Sequence, residues 1–308
     1  MAVSCYPLLK QLRQEFQFDL IDSHFAYPDG YAATWLGRWF EVPVTITLRG
    51  TEVRIGTYRI RRGLMLKALE RSTRVFAVAD SLKNCVSELG AEREKILVVG
   101  NGVDTARFYP EPQHEARKKL NLRADAPILI TVGGLCERKG FHRVIDVLPR
   151  LRQQFHGLQY LVVGGPTPEG DWTEKLHEQV KSLGLEDCVQ FLGVMGHDEM
   201  RWPLSAADLF VLSTRNEGWA NVFLEAMGCG LPVITTDVGG NKEVVSSPSV
   251  GCVVPFDDGE ALHKALADAL DGSWERSNVI AWAKENSWEK RVEVLVGEFQ
   301  QLTGDSKD

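Results

Sequence analysis

A chain of 308 residues, 44% hydrophobic and 25% charged, is long enough for two domains that each bury a core. Its net charge of −7 argues against a general nucleic-acid binder, which would carry a basic balance across a domain. Cys5, Cys85, Cys136, Cys188, Cys229 and Cys252 are scattered without a Cys-x-x-Cys pair, a pattern that suggests neither a zinc site nor a disulfide framework. No apolar run approaches the roughly 20 residues of a membrane span and no signal-peptide core opens the chain, so a cytoplasmic protein is expected.

Short β-rich runs alternate with helical segments from the start. Residues 5–24 read as an amphipathic helix running into a strand at 20–24, and further strands are predicted at 43–48, 75–79 and 96–99, with helical periodicity at 63–72. Residues 104–127 are polar and contain prolines, which predicts an interdomain linker. A second series of strands follows at 128–132, 160–165, 189–193, 209–213, 232–236 and 252–254. The pattern is that of parallel α/β sheets, with no internal repeat.

The chemistry gathers in "NEGWANVFLEAMGCGLPVITTDVGG", residues 216–240. Glu217 falls on the loop after the strand at 209–213, where open α/β sheets bind ligands. Asn221 is read as the cap of a short helix, and Glu225 lies about a turn further along it. The amides and dipole of that helix start suit a diphosphate, the carboxylates suit hydroxyls, and Gly239 and Gly240 permit close backbone approach. A diphosphate flanked by hydroxyl-rich rings is a nucleotide sugar. The same spacing also fits a solvated loop carboxylate and a surface helix residue.

Together with "ITVGGLCERKGFHRVIDVLPRL" (130–151), "VVGNGVDTARFYP" (98–110) and "IDSHFAYPDGYAA" (21–33), this stretch resembles the family 4 retaining glycosyltransferases of GT-B architecture. The resemblance implies an α/β fold with two Rossmann-like parallel-sheet domains facing a cleft. The expected parts are a partial acceptor-side domain at 1–110, a donor-binding domain at 111–285, and a helix at 286–308 that returns to the first domain before a polar tail. It implies transfer of a sugar from a nucleotide-sugar donor to the hydroxyl of a carbohydrate or lipid-linked acceptor, with retention by front-side attack, in polysaccharide or glycolipid synthesis.

By the same resemblance Glu217 would contact hydroxyls of the donor sugar and Glu225 the ribose. The loop formed by Gly218, Trp219, Ala220, Asn221 and Val222 would lie along sugar and diphosphate, with Gly133, Gly134, Arg138, Gly193 and Val194 completing the donor site. Lys139 would bind the diphosphate, where a cation stabilises the charge that grows on the leaving group. His24 would stand near the reacting centre, Arg49 would meet a phosphate or acceptor hydroxyl, and Asn101 and Gly102 would form an interdomain turn. His24, Lys139 and Glu217 are thus the expected catalytic groups. No Asp-x-Asp motif occurs, so neither metal nor cofactor is expected beyond the donor.

Two departures stand out. Gly134 occupies a position where the family has an arginine, and loss of such a charge-assisted contact costs roughly 1.5 to 3 kcal/mol. The direction of the neighbouring Arg138 side chain is expected to disfavour it as a substitute. The opening of the chain also lacks the first strand and Gly-rich loop of a full GT-B domain, so the first domain is expected to be incomplete and transfer weak. A noncatalytic or impaired nucleotide-sugar binder is therefore the rival reading, and a sugar-nucleotide epimerase of the same architecture would not predict the two glutamates. The basic stretch 49–74, with Leu64, Met65 and Leu66, suits peripheral contact with an anionic membrane face, although a solvated, salt-bridged surface explains the same charges.

Overall fold

The computed structural model describes residues 1–304. The chain divides into two units, one formed by Met1–Asn101 with the segment from Glu289, the other by Gly102–Trp288.

The first unit runs α1 (Ala2–Glu15), β1 (Ile21–His24), α2 (Tyr31–Phe40), β2 (Val44–Leu48), α3 (Thr51–Gly56), α4 (Arg59–Arg71), β3 (Arg74–Ala77), α5 (Asp80–Glu88) and β4 (Ile96–Val98). Its four strands are parallel in the order β1-β2-β3-β4. All five residues of β2 are buried, as a β-branched run covered on both faces requires. The register sets His24, the last residue of β1, opposite Thr47, so His24 and Arg49 emerge at the same edge of the sheet. Helix α1 is less cleanly amphipathic than its sequence suggests. Tyr6 packs on Phe40 and Trp39, but Val3 and Leu8 remain exposed and no residue of the helix is fully buried.

The second unit continues with α6 (Gln113–Lys119), β5 (Ile128–Val132), α7 (Phe141–Gln154), β6 (Gln159–Val163), α8 (Thr173–Ser182), β7 (Val189–Gly193), α9 (Arg201–Ala206), β8 (Leu209–Leu212), α10 (Asn221–Gly228), β9 (Val233–Thr236), α11 (Asn241–Val244), β10 (Gly251–Val254), α12 (Gly259–Asp271) and α13 (Arg276–Glu285). Its parallel sheet has the order β10-β9-β8-β5-β6-β7. Alternate residues feed two cores: Ile128, Ile130 and Phe210 face one, Leu129 and Val211 the other. The chain winds outward from β5 through β6 to β7, then returns to β8 on the other side of β5. The loops after β5 and β8 therefore leave the sheet in opposite directions and open a crevice between them.

Residues 104–127 are not a free linker. Phe108 and Ala116 belong to the core of the second unit, and Arg117 is buried because Asp208 accepts from its Nη2 at 2.8 Å and the Ala206 carbonyl from its Nε at 3.0 Å. Polar composition concealed a segment whose charge is satisfied inside the fold. The division accordingly falls after Asn101, ahead of the expected residue 110. A parallel bridge between Val103 and Ser287 joins the two ends of the second unit. The last helix, α14 (Trp288–Thr303), lies with the first unit from Glu289 onward, where Glu298 pairs with Arg74 at 3.0 Å and Phe299 meets Phe76 edge-on. Among the described residues no helix is long and apolar enough to cross a membrane.

Candidate active site

The loop after β5 holds a short 3-10 turn, Glu137–Lys139, and ends at Gly140 in the left-handed region (φ 74°). A Cβ on Gly140 would lie 1.8 Å from the Ser213 carbonyl, so only glycine lets α7 begin this close to the end of β8. The loops of β5 and β8 are then stitched together. Arg215 N donates to the Arg138 carbonyl at 2.8 Å, and the Arg215 side chain pairs with Glu137 at 2.9 Å. On this scaffold Lys139 Nζ donates to Glu217 Oε1 at 2.5 Å and Arg138 Nη1 donates to the same oxygen at 3.0 Å. Arg138 and Lys139 thus converge, contrary to the expectation that the direction of Arg138 would keep it from the place Lys139 serves; both long side chains curl out of the tight turn onto one carboxylate.

Arg138 is also gripped from the other side by Glu169, which accepts from Nε at 2.6 Å and from Nη2 at 2.9 Å. This fork raises the Arg138 pKa above its ordinary value, with burial opposing, and holds the Glu169 carboxyl below its ordinary range. Glu169 sits in a turn closed by Thr167 and Gly170, and a Cβ on Gly134 would meet Thr167 Cγ2 at 2.1 Å. The loop after β6 therefore fills the space a side chain at 134 would need. Gly133 lies beside the Lys139 stem.

Helix α10 starts at Asn221 with Ala220 as its cap residue and no side-chain capping bond, so Asn221 is the first helical residue and not the cap. Gly218, Trp219 and Val222 are partly buried and Ala220 is buried. Gly239, also left-handed (φ 51°), brings the loop after β9 so near that a Cβ there would lie 1.7 Å from the Glu217 carbonyl. Glu225 joins none of the ion pairs around Glu217. Among the described residues its partly buried carboxylate makes no hydrogen bond or ion pair, and burial pushes its pKa up, with only the charge of His197 opposing. His197 lies on the loop that follows Gly193, the last residue of β7, and that begins with the exposed Val194.

In the first unit His24 and Arg49 come together: Arg49 Nε donates to His24 Nδ1 at 2.9 Å, and Nη1 donates to Asn101 Oδ1 at 3.1 Å. Asp22 Oδ2 lies 3.5 Å from His24 Nε2. Sequence reasoning missed Glu169, Thr167 and Asp22. Only Asp22 left a signal, since a strand places residues two apart on one face. Among the described residues no cluster of three or more His, Cys, Asp or Glu is suited to a metal ion.

Residues 112–286 match the model for glycosyl transferases group 1, and residues 1–107 match that for glycosyltransferase family 4. The chain is 33% identical over 225 residues to the D-inositol 3-phosphate glycosyltransferase of Actinosynnema mirum, covering 68% of this chain and 53% of that one. It is 32% identical to the lipopolysaccharide core biosynthesis glycosyltransferase LpsE of Rhizobium meliloti, over 70% of this chain and 57% of the relative. The chain thus spans just over half the length of these two relatives. The fold is that of HepE from Anabaena, whose structure was solved with UDP: the TM-score is 0.85 at 22% identity, over 96% of this chain and 82% of that one. The chain belongs to the group 1, family 4 glycosyltransferases and has their GT-B fold.

Proposed function

We propose that this chain moves a sugar from a nucleotide-sugar donor to an acceptor hydroxyl with retention at the anomeric carbon, in polysaccharide or glycolipid synthesis. The observation that carries this reading is the convergence of Lys139 and Arg138 on Glu217 where the strand order reverses, beside the start of α10. A diphosphate at that helix start draws Lys139 off Glu217, and the lysine charge then stabilises the leaving group as its bond to the sugar breaks. Glu217, still held by Arg138, turns its freed lone pairs to sugar hydroxyls. Glu225, which makes no hydrogen bond or ion pair among the described residues, accepts from ribose hydroxyls. The proton of the attacking hydroxyl passes to the departing diphosphate on the same face, and no cofactor enters the scheme. His24 and Arg49 serve the acceptor side.

HepE binds UDP, which makes UDP the first probe. Calorimetry with UDP, GDP and ADP, followed by transfer assays with the matching sugars, tests the reading: a nucleoside diphosphate should bind wild type and bind the Glu225→Ala variant at least about tenfold more weakly, the cost of roughly one charge-assisted hydrogen bond. No binding by any of the three defeats it. Gly134 favours a second reading, a nucleotide-sugar binder without turnover, which binding in the absence of both transfer and donor hydrolysis would reveal.

The acceptor in this reading is carbohydrate or lipid-linked, met at the inner face of a membrane. Helix α4 exposes Arg59, Arg61, Arg62, Lys67 and Arg71. The apolar residues beside them are not those expected: Met65 is buried and Leu64 and Leu66 partly so, whereas Ile60, Val53 and Tyr58 are exposed. Sedimentation with vesicles should show binding that needs anionic lipid and weakens with salt, each basic residue contributing about 1 kcal/mol. Equal binding to neutral vesicles would remove α4 from the account.

A further inference from the structure

The contacts of His24 decide which of its nitrogens can do chemistry. Arg49 Nε donates to His24 Nδ1 at 2.9 Å. A guanidinium has donors only, so Nδ1 must carry the lone pair and the imidazole proton must sit on Nε2. Asp22 lies on the Nε2 side, but its Oδ2 is 3.5 Å away, beyond an ordinary N–H···O distance, while its Oδ1 accepts from Thr45 Oγ1 at 2.6 Å. The His24 side chain is 46% exposed, so the Nε2–H is open to an incoming oxygen.

Arg49 is itself held. Its Nη1 donates to Asn101 Oδ1 at 3.1 Å, and the buried carboxylate of Glu52 accepts from Gly50 N at 2.8 Å and from Ala26 N at 3.4 Å. Glu52 thereby ties together the two loops that follow β2 and β1. An arginine suits this place better than a lysine because its planar fork spans two acceptors at a fixed angle.

We propose that Arg49, anchored by Asn101, is a positioning residue that holds His24 as the Nε2–H tautomer, so that His24 donates a hydrogen bond to a substrate oxygen during sugar transfer and does not act as its general base. A base needs a lone pair aimed at the substrate, and the only one on this ring is turned onto Arg49. The inference rests on the sugar-transfer reading for the identity of the substrate, but the tautomer can be measured without substrate.

The test has a spectroscopic arm and a kinetic one. Long-range 15N–1H spectra of the 15N-histidine-labelled chain, with His24→Gln to identify His24 among the seven histidines, should show an unprotonated Nδ1 and a protonated Nε2. Arg49→Met should give a mixture of tautomers, and Arg49→Lys should recover part of the original signal. Asn101→Leu, which keeps the Arg49 charge, should also mix the tautomers and serves if Arg49→Met does not fold. A wild-type His24 protonated on Nδ1, or a signal indifferent to both Arg49→Met and Asn101→Leu, overturns the proposal. In the kinetic arm Gln keeps an N–H near the place of Nε2 but offers no basic nitrogen. His24→Gln should cost less than about tenfold in kcat, whereas loss of a general base costs about 10²–10⁴-fold. Equal, large losses in His24→Gln and His24→Ala overturn the donor role. If no nucleotide sugar supports transfer, the functional reading falls, while the spectra still decide what Arg49 does to His24.

Discussion

At Glu225 stability and binding pull in opposite directions. Its carboxyl is raised chiefly by burial, so the folded chain holds this proton more tightly than the unfolded chain does. The associated stability is present below the ordinary carboxyl range and is lost as pH rises through the raised value. Glu225→Gln should therefore melt at a higher temperature than wild type near pH 7.5, melt with it near pH 4, and bind nucleotide less well, the trade expected where a site residue is kept for function. Equal shifts at both pH values would show a solvated carboxylate. Lys139 makes the complementary case. Glu217 keeps Arg138 and Thr214 when Lys139 is cut back, so Lys139→Ala should fold. Its turnover should fall about 10²–10³-fold, more than its ground-state affinity for donor, because the charge it meets is largest as the leaving group departs. Gly134 reverses its sequence reading: with Thr167 against it, Gly134→Arg should destabilise the chain by about 1–3 kcal/mol in urea titration and disturb the turn that carries Glu169, instead of adding a useful cation.

Elements, by contrast, were largely legible. The strand at 128–132 begins and ends where its apolar run does, because a strand buried on both faces has no other pattern to follow, and the edge strand at 189–193, of which only Val189 is buried, also falls at its expected bounds. The α/β alternation gave the two parallel sheets, and the place of Glu217 after β8 followed from it. What stayed hidden depends on partners far apart in sequence. Nothing near Arg117 announces Asp208, and Glu169 reads as one acidic residue in a Pro- and Gly-containing turn until the loops after β5 and β6 are set side by side. The convergence of Arg49 on His24 likewise needs the register of β1 against β2, which periodicity alone does not supply. Because Arg117 closes α6 onto the sheet through Asp208 and backbone carbonyls, Arg117→Met should leave the Asp208 charge without its main partner and cost about 3 kcal/mol in denaturant unfolding. A cost below about 1 kcal/mol would mean that Gln113 and Arg276, which also approach Asp208, hold α6 without it.

At the scale of the molecule, the second unit is continuous in sequence and closes on itself, whereas the first is assembled from both ends of the chain. The donor-binding part is expected from sequence at 111–285, yet Val103 and Phe108, ahead of that range, lie with Ala116 in its core, Val103 N donates to the Asn286 carbonyl at 3.0 Å, and Trp288 N donates to the Val103 carbonyl at 3.1 Å. A fragment begun at 122 would lose the buried apolar contacts of those three residues, each large one worth about 1.5–3 kcal/mol, together with the Arg117 pair. That is a large share of the 5–15 kcal/mol by which a domain is stable. Residues 102–288 should therefore fold alone with a cooperative thermal transition, and residues 122–288 should not. If the donor site lies wholly in this unit, a nucleoside diphosphate at 100 times its Kd should stabilise the 102–288 fragment by about 2.7 kcal/mol, as mass action requires, and should raise only one transition in the calorimetric trace of the whole chain. Should fragment 122–288 melt cooperatively and bind nucleotide as tightly as 102–288, the segment through α6 would be an appendage after all. Should nucleotide leave the 102–288 transition unmoved while raising that of the intact chain, the donor would need groups from the first unit.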